Sequence, residues 1–325
     1  MSCIKESLIN GFERPEFLKR GIKILILLSR VISALPLSVA LWIGRVLGVF
    51  AYYCIPIRRS MAFQNVKHVL GDKLSKKEQK KLVLNCYKQQ GMYTIEVFRI
   101  PSLTSELADE LVEPRGKESL DEAFGRKKGV ILVSAHIGNV DLAGCSMAIR
   151  GIPISIPART IRSEMVRKLV IRIRENTGVL LIAPHRSKDV IKQQLKENKM
   201  VTLIVDQHMS KRRSIVCEFF GKLASTSPAP ARFAFETGAT IVLAVIHRQG
   251  FSGKHVIEYQ SFELETPHTD LKANIRHNTE RINRYLEEQI LTYPEHWLWL
   301  HRRWKVQEDP EGWEIPENLQ HLVTK

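Results

Sequence analysis

The sequence predicts an α/β fold: a largely parallel sheet flanked by helices, preceded by an apolar helical amino terminus. Three observations predict it. Beyond about residue 100, short apolar runs rich in Val and Ile alternate with segments of helical periodicity, the pattern of a sheet whose strands are joined by crossover helices. The run from Gly129 to Ala135 is apolar throughout, as a strand covered on both faces must be. The first sixty residues, finally, carry more Leu, Ile and Val than a soluble domain usually places there.

In chain order, Ile22 to Ile57 is apolar but carries Lys23, Arg30 and Arg45, with Pro36 in its middle. Its uncharged stretch, Val31 to Gly44, is shorter than the ~20 residues of a spanning helix, although long basic side chains at its ends can reach the interface. A cleaved signal peptide does not fit, because the apolar part starts late and no small-residue cleavage site follows. The segment reads as a membrane anchor, either an interfacial hairpin broken at Pro36 or one imperfect span, followed by the basic residues Arg58, Arg59 and Lys67. Ser75 with Glu78 three positions on forms a capping box for a long amphipathic helix reaching Ile100.

Helix Glu118 to Phe124 then leads to the Gly129 to Ala135 strand, and Ile152 to Pro157 gives the next strand. A basic helix, Glu164 to Asn176, stops at Gly178 and is followed by strand Val179 to Ile182, helix Lys188 to Glu197 and strand Met200 to Val205. After a basic loop come helix Pro230 to Thr237, ended by Gly238, strands Thr240 to His247 and His255 to Tyr259, and a helix from about Asp270 to Thr292. The tail after Lys305 is polar and is expected to be loosely held. No linker divides the chain. The expected organisation is an anchor at 1–60, a catalytic domain at 61–305 and a tail at 306–325.

The formal charge of +15 attracts polyanions: nucleic acid, an anionic leaflet, phosphorylated lipids or acidic proteins. Cys3, Cys54, Cys86, Cys145 and Cys217 are scattered and form no CxxC pair, which argues against a disulfide framework or a metal site and fits a reducing compartment. Cys145 reads as a small core residue.

The segment His136-Ile137-Gly138-Asn139-Val140-Asp141 carries the chemistry. Gly138-Asn139 can end the strand and start a helix, leaving His136 at the carboxyl end of a strand and Asp141 in the first helical turn, where open α/β sheets place their sites. An imidazole oriented by a carboxylate is a general base, suited to taking a proton from a hydroxyl that attacks an acyl carbonyl. The spacing alone is weak: with 34 acidic residues in 325, about one of eleven histidines should have an acid five positions on by chance, and only His136 does. Its strand, glycine turn and helix give it weight. A capping Asp and a hydrogen-bonded structural His are the bland alternative.

Two further segments stand out. Asp206-Gln207-His208, then Lys211-Arg212-Arg213 and Ser225-Thr226-Ser227-Pro228, could form a phosphate-binding rim beside the histidine, or a solvated loop. Tyr293 to Trp304 interleaves three tryptophans with Arg302, Arg303 and two histidines, a pattern open to nucleic-acid stacking or to a phospholipid headgroup.

Taken together, Arg58-Arg59 and Asn65, the block Ser134 to Gly144, Arg159, Asp206-Gln207, Phe219-Phe220-Gly221, Thr226, Tyr293-Pro294-Glu295 and Trp299 to Lys305 resemble, in order, the bacterial lipid A biosynthesis acyltransferases that add secondary acyl chains. The resemblance implies a glycerophospholipid-acyltransferase-like fold and a membrane-bound transferase at the cytoplasmic face of the bacterial inner membrane. Its donor would be an acyl thioester, usually on acyl carrier protein, with acyl-CoA the other candidate, and its acceptor a lipid A precursor; no other cofactor, no metal and no nucleic acid are implied. His136 would be the base, Asp141 its orienting carboxylate, and Arg159, Asp206, Gln207, Arg213, Thr226, Arg302 and Arg303 would meet the substrates. The chain departs from the family in having Asp141 where lipid A enzymes commonly carry Glu, Ile137 and Val140 at aromatic positions, and Thr160 to Ser163 after Arg159 without the usual Pro and Asn. Other glycolipid or phospholipid acceptors therefore remain open, as does a non-catalytic basic membrane-surface or nucleic-acid-binding protein. Transfer activity that disappears with His136→Ala separates the enzyme readings from the last.

Overall fold

The computed structural model describes residues 16–55, 58–157, 164–183 and 187–323, with the side chains of 16–22 and 165–169 left aside. Two apolar helices, α1 (Glu16–Ala34) and α2 (Leu37–Cys54), meet at Pro36, whose ring cannot continue a helix. Helix α3 (Arg59–Leu70) follows, then α4 (Lys76–Arg99), opened by the Ser75–Glu78 capping box that the sequence predicts. Helices α2 and α4 touch backbone to backbone. A Cβ at Gly91 would stand 2.1 Å from the Gly44 carbonyl oxygen, and one at Gly48 2.3 Å from that of Tyr87, so only glycine admits this approach.

The α/β part runs α5 (Ser105–Leu111), β1 (Val112–Arg115), α6 (Lys117–Gly125), β2 (Val130–Ser134), α7 (Val140–Ile149), β3 (Ile154–Pro157), α8 (Glu164–Asn176), β4 (Leu180–Ile182), α9 (Ser187–Lys196) and β5 (Met200–Ile204). It continues with β6 (Ile215–Phe219), β7 (Lys222–Thr226), α10 (Ala229–Thr237), β8 (Thr240–Arg248), β9 (His255–Phe262), α11 (Leu271–Thr292) and α12 (Lys305–Glu308). Seven strands form one sheet in the order β1-β9-β8-β2-β5-β3-β4. Every neighbouring pair in it is parallel except β8 and β9. Helices cover both faces: along β2, Ile131 and Val133 join a core with α3, α4, α10 and α11, while Val130 and Leu132 join another with α6 and α7. The expected α/β architecture with a mostly parallel sheet is therefore the architecture found.

Two segments differ from expectation. The basic loop after β5 leads into an antiparallel hairpin, β6–β7, turned at Phe220-Gly221 with both residues at positive φ. The polar tail is packed: Val306, Leu319 and Leu322 are buried against Val216 and Leu223 of that hairpin. Widely spaced apolar residues in a polar stretch escape periodicity, yet here they join one apolar cluster with the hairpin.

Candidate active site

Strands β2 and β5 are adjacent, with Ser134 opposite Ile204. Two residues beyond each partner stand His136 and Asp206, so the sheet register itself brings them together. The His136 ring Nδ1 donates to Asp206 Oδ1 at 2.8 Å, and the His136 amide donates to Asp206 Oδ2 at 3.0 Å. The Trp297 indole donates to the same Oδ2 at 2.9 Å. Burial alone would raise the pKa of Asp206, which is 2% exposed; attraction to His136 and these hydrogen bonds outweigh it and hold the carboxyl well below its ordinary value. The carboxylate thus stays charged, fixes the Nδ1–H tautomer and leaves Nε2 as the reactive nitrogen. The His136 side chain is 26% exposed, and Gln207 Nε2 lies 3.3 Å from its Nε2.

The turn after His136 is held on all sides. Gly138 has φ +71°, and a Cβ there would fall 1.9 Å from the Ile246 carbonyl oxygen. Its amide donates to His296 O, Leu298 N donates to His136 O, and Ile137 pairs with Trp297 as an antiparallel bridge. Asn139 caps α7 by accepting from Leu142 N at 3.1 Å and donates to the buried Glu96 carboxylate at 2.8 Å. Glu96 in turn binds Arg248 and His255, so α4 and the β8–β9 pair anchor the turn. Burial pushes the His296 imidazole down to about 3, and Tyr93 OH lies 2.5 Å from its Nδ1.

The assignment of Asp141 as the orienting carboxylate is corrected. Asp141 does lie in the first turn of α7, but its Oδ1 accepts from Arg174 of α8 at 2.7 Å, while Asp206 occupies His136 Nδ1. From the first turn of a helix the Asp141 side chain reaches a neighbouring helix, whereas the end of the next strand lies beside the ring. Asp206 is accordingly no substrate contact: it is buried behind the histidine.

Arg303 and Thr226 are corrected too. Arg303 is 0% exposed; it donates to Ser225 O and to Thr226 Oγ1, and its guanidinium lies 4.6 Å from the centre of the Phe219 ring. Burial lowers its pKa to about 10, and the nearby Asp206 acts the other way. Thr226 is also fully buried. Trp297, Trp299 and Trp304 are core residues, each 6% exposed or less, so this segment offers no stacking surface. Its role is to carry Trp297 and the turn contacts to His136. Arg213 is exposed in a short 3₁₀ turn, and Arg302 is exposed and paired with Glu308. Arg159 lies outside the described residues.

His301, absent from the sequence-derived site, sits close enough to the dyad for Asp206 and His136 to influence it; burial first, then Arg303 and His136 against Asp206, leaves it near 4 and neutral at pH 7. Burial raises the thiols of Cys86, Cys145 and Cys217 to about 12, 11 and 12, which removes them from thiolate chemistry near neutrality. Cys145 is the core residue the sequence suggests.

The model of the bacterial lipid A biosynthesis acyltransferase family matches residues 14–306. The chain is 22% identical to the lipid A biosynthesis palmitoleoyltransferase of Escherichia coli, over 84% of this chain and 87% of that one. It is 24% identical to the phosphatidylinositol mannoside acyltransferase of Mycolicibacterium smegmatis, over 65% and 68%. The lipid A biosynthesis lauroyltransferase of Escherichia coli is also 24% identical, over 87% of this chain and 90% of its own.

Proposed function

The chain belongs to the bacterial lipid A biosynthesis acyltransferase family and is an acyltransferase for lipid acceptors; on that premise we propose that it moves a fatty acyl chain from an acyl thioester to a hydroxyl of a lipid A precursor. The observation that carries the proposal is the His136–Asp206 pair, with Nδ1 tied to a buried carboxylate on an imidazole that is itself partly exposed. The acceptor hydroxyl gives its proton to Nε2 as its oxygen bonds the thioester carbonyl carbon. Asp206 stabilises the imidazolium. Collapse of the tetrahedral intermediate breaks the carbon–sulfur bond, and the proton passes from Nε2 to the departing thiolate. The parallel sheet with its base at a strand end supports a glycerophospholipid-acyltransferase-like arrangement.

The donor we assign is acyl carrier protein, with acyl-CoA as the other candidate; the exposed Lys211 to Arg213 turn and the charge of +15 favour an acidic carrier and a phosphorylated acceptor. Arg213, Arg302 and Gln207 are the substrate contacts that exposure permits, and Arg159 is retained from the family resemblance. The location is the cytoplasmic face of the bacterial inner membrane. Ile24, Leu27, Val31, Trp42, Phe50 and Tyr53 leave apolar surface exposed on α1 and α2. Helix α2 is long and apolar enough to span a membrane, yet its glycine face is built into α4, which favours an interfacial seat.

A second acceptor reading, a glycosylated phosphoinositide, rests on the mannoside acyltransferase relative and on Asp141 in place of the Glu common among lipid A enzymes. Incubating the purified protein with labelled acyl carrier protein or acyl-CoA and each acceptor tests both. Labelling of the lipid A precursor supports the first reading. Labelling confined to the phosphoinositide replaces it with the second.

A further inference from the structure

The turn between β8 and β9, Gln249 to Lys254, lies against the start of α2 and leaves a groove of about 350 Å³ between them. Leu37, Leu41, Trp42, Arg45, Phe251 and Gly253 line it. Its walls are fixed. A Cβ on Gly253 would come 2.4 Å from Leu37, Arg248 donates to Ser252 O at 2.6 Å, and Gln89 donates to Gly250 O at 3.1 Å. Buried Arg248 is itself paired with Glu96 at 2.7 Å. The turn is therefore preformed by contacts to α2 and α4.

The groove is amphipathic in a particular way. Trp42, 64% exposed, belongs both to it and to the apolar face that α2 leaves open, so the groove opens onto that face. Arg45 is exposed and lays its guanidinium over the Phe251 ring, 4.4 Å from the centroid. Among the described residues no carboxylate lines the groove. Lys254 is exposed at the end of the turn, and Lys88 is near enough to feel Arg45: its ammonium is pushed below its usual value by burial first and by Arg45 second, against Glu295. The Arg45 guanidinium on the Phe251 ring, beside the exposed Trp42, matches a phosphate at the depth where a bilayer changes from headgroup to acyl chain.

We propose that this groove seats one anionic glycerophospholipid of the membrane, its phosphate on Arg45 and the first part of its chains against Leu41, Trp42 and Phe251. The proposal rests on the membrane-bound reading above. It makes the β8–β9 turn a second membrane contact beside α2, distinct from the substrate site at His136.

The test uses the full chain with vesicles of phosphatidylcholine alone and of an equal mixture with phosphatidylglycerol, at low and raised salt, comparing Arg45→Gln, Arg45→Lys and, as a control cation elsewhere on the apolar segment, Arg30→Gln. Quenching of Trp42 fluorescence by brominated lipid reports contact, measured in a Trp313→Phe background because Trp313 is half-buried while Trp297, Trp299 and Trp304 are buried. The wild type should prefer the anionic vesicles, and Arg45→Gln should lose about fivefold of that preference, the scale of one basic side chain at an anionic surface, while still binding phosphatidylcholine. Arg45→Lys should recover only part of it, because lysine lacks the planar fork, and Arg30→Gln should lose clearly less than Arg45→Gln. A wild type that binds both vesicles equally, or equal losses for Arg45→Gln and Arg30→Gln, would overturn the lipid seat and leave the membrane reading standing. A wild type that binds neither vesicle would overturn the membrane reading itself.

Discussion

The Trp297 indole nitrogen stands 2.9 Å from Asp206 Oδ2, so a tryptophan 91 residues downstream supplies one of the hydrogen bonds that keep this buried carboxylate charged. Replacing it with Phe keeps most of the ring volume and removes the donor. The expected result is a loss of about 1–3 kcal/mol in stability, the cost of a missing partner on a buried charged group, together with lower kcat and little change in KM for the acceptor. Denaturant unfolding with steady-state kinetics checks both; an unaltered kcat would separate Trp297 from the chemistry.

Arg303 gives the opposite expectation. Its bonds run to Ser225 and Thr226 inside the protein, so Arg303→Lys should destabilise the fold by about 1–3 kcal/mol without changing how the enzyme discriminates phosphorylated from dephosphorylated acceptor. A change confined to the phosphorylated acceptor would return Arg303 to the substrate surface.

Gly138→Ala should cost about 2–4 kcal/mol and most of the activity, since the turn needs φ +71° and a Cβ would meet the Ile246 carbonyl. Circular-dichroism melting of the variant measures it. A Tm equal to that of the wild type would show that the turn can be rebuilt without this approach.

The fold was legible where local rules act. Ser75 with Glu78 marks the start of α4, the apolar run marks β2, and Asn139 caps α7 directly after the glycine turn. The partner of His136 was not legible, because nothing in the spacing of His136 and Asp206 says that β5 lies beside β2; only strand order and the Ser134–Ile204 register do. Asp141 was visible for the opposite reason: it is close in sequence, while its partner Arg174 comes from a separate helix. The tryptophan segment advertised a surface by its composition. In the fold its rings fill the core, and its backbone clamps the turn after His136.

Acid should unfold the protein through its buried imidazoles. The folded-state value of His296, about 3, lies below the ordinary value of 6.5, so as pH falls below about 6.5 the unfolded chain takes up the proton first and stability declines toward pH 3. One such group gives a slope of about 1.4 kcal/mol per pH unit within that window. In urea titrations between pH 7 and pH 4, His296→Asn should flatten the decline; an unchanged slope would assign the acid sensitivity to other groups.

The central claim is that Asp206, and not Asp141, orients the catalytic imidazole, and the direct measurement is kcat for Asp206→Asn and Asp141→Asn with one acyl donor and one acceptor, on variants shown by melting to be folded. An amide at 206 no longer secures the Nδ1–H tautomer or stabilises the imidazolium, so Asp206→Asn should lower kcat by about 10²-fold to 10⁴-fold. Asp141→Asn loses an ion pair with Arg174 and should lower Tm while reducing kcat by less than about tenfold. The reverse order, with Asp141→Asn inactive and Asp206→Asn near wild type, would contradict the account.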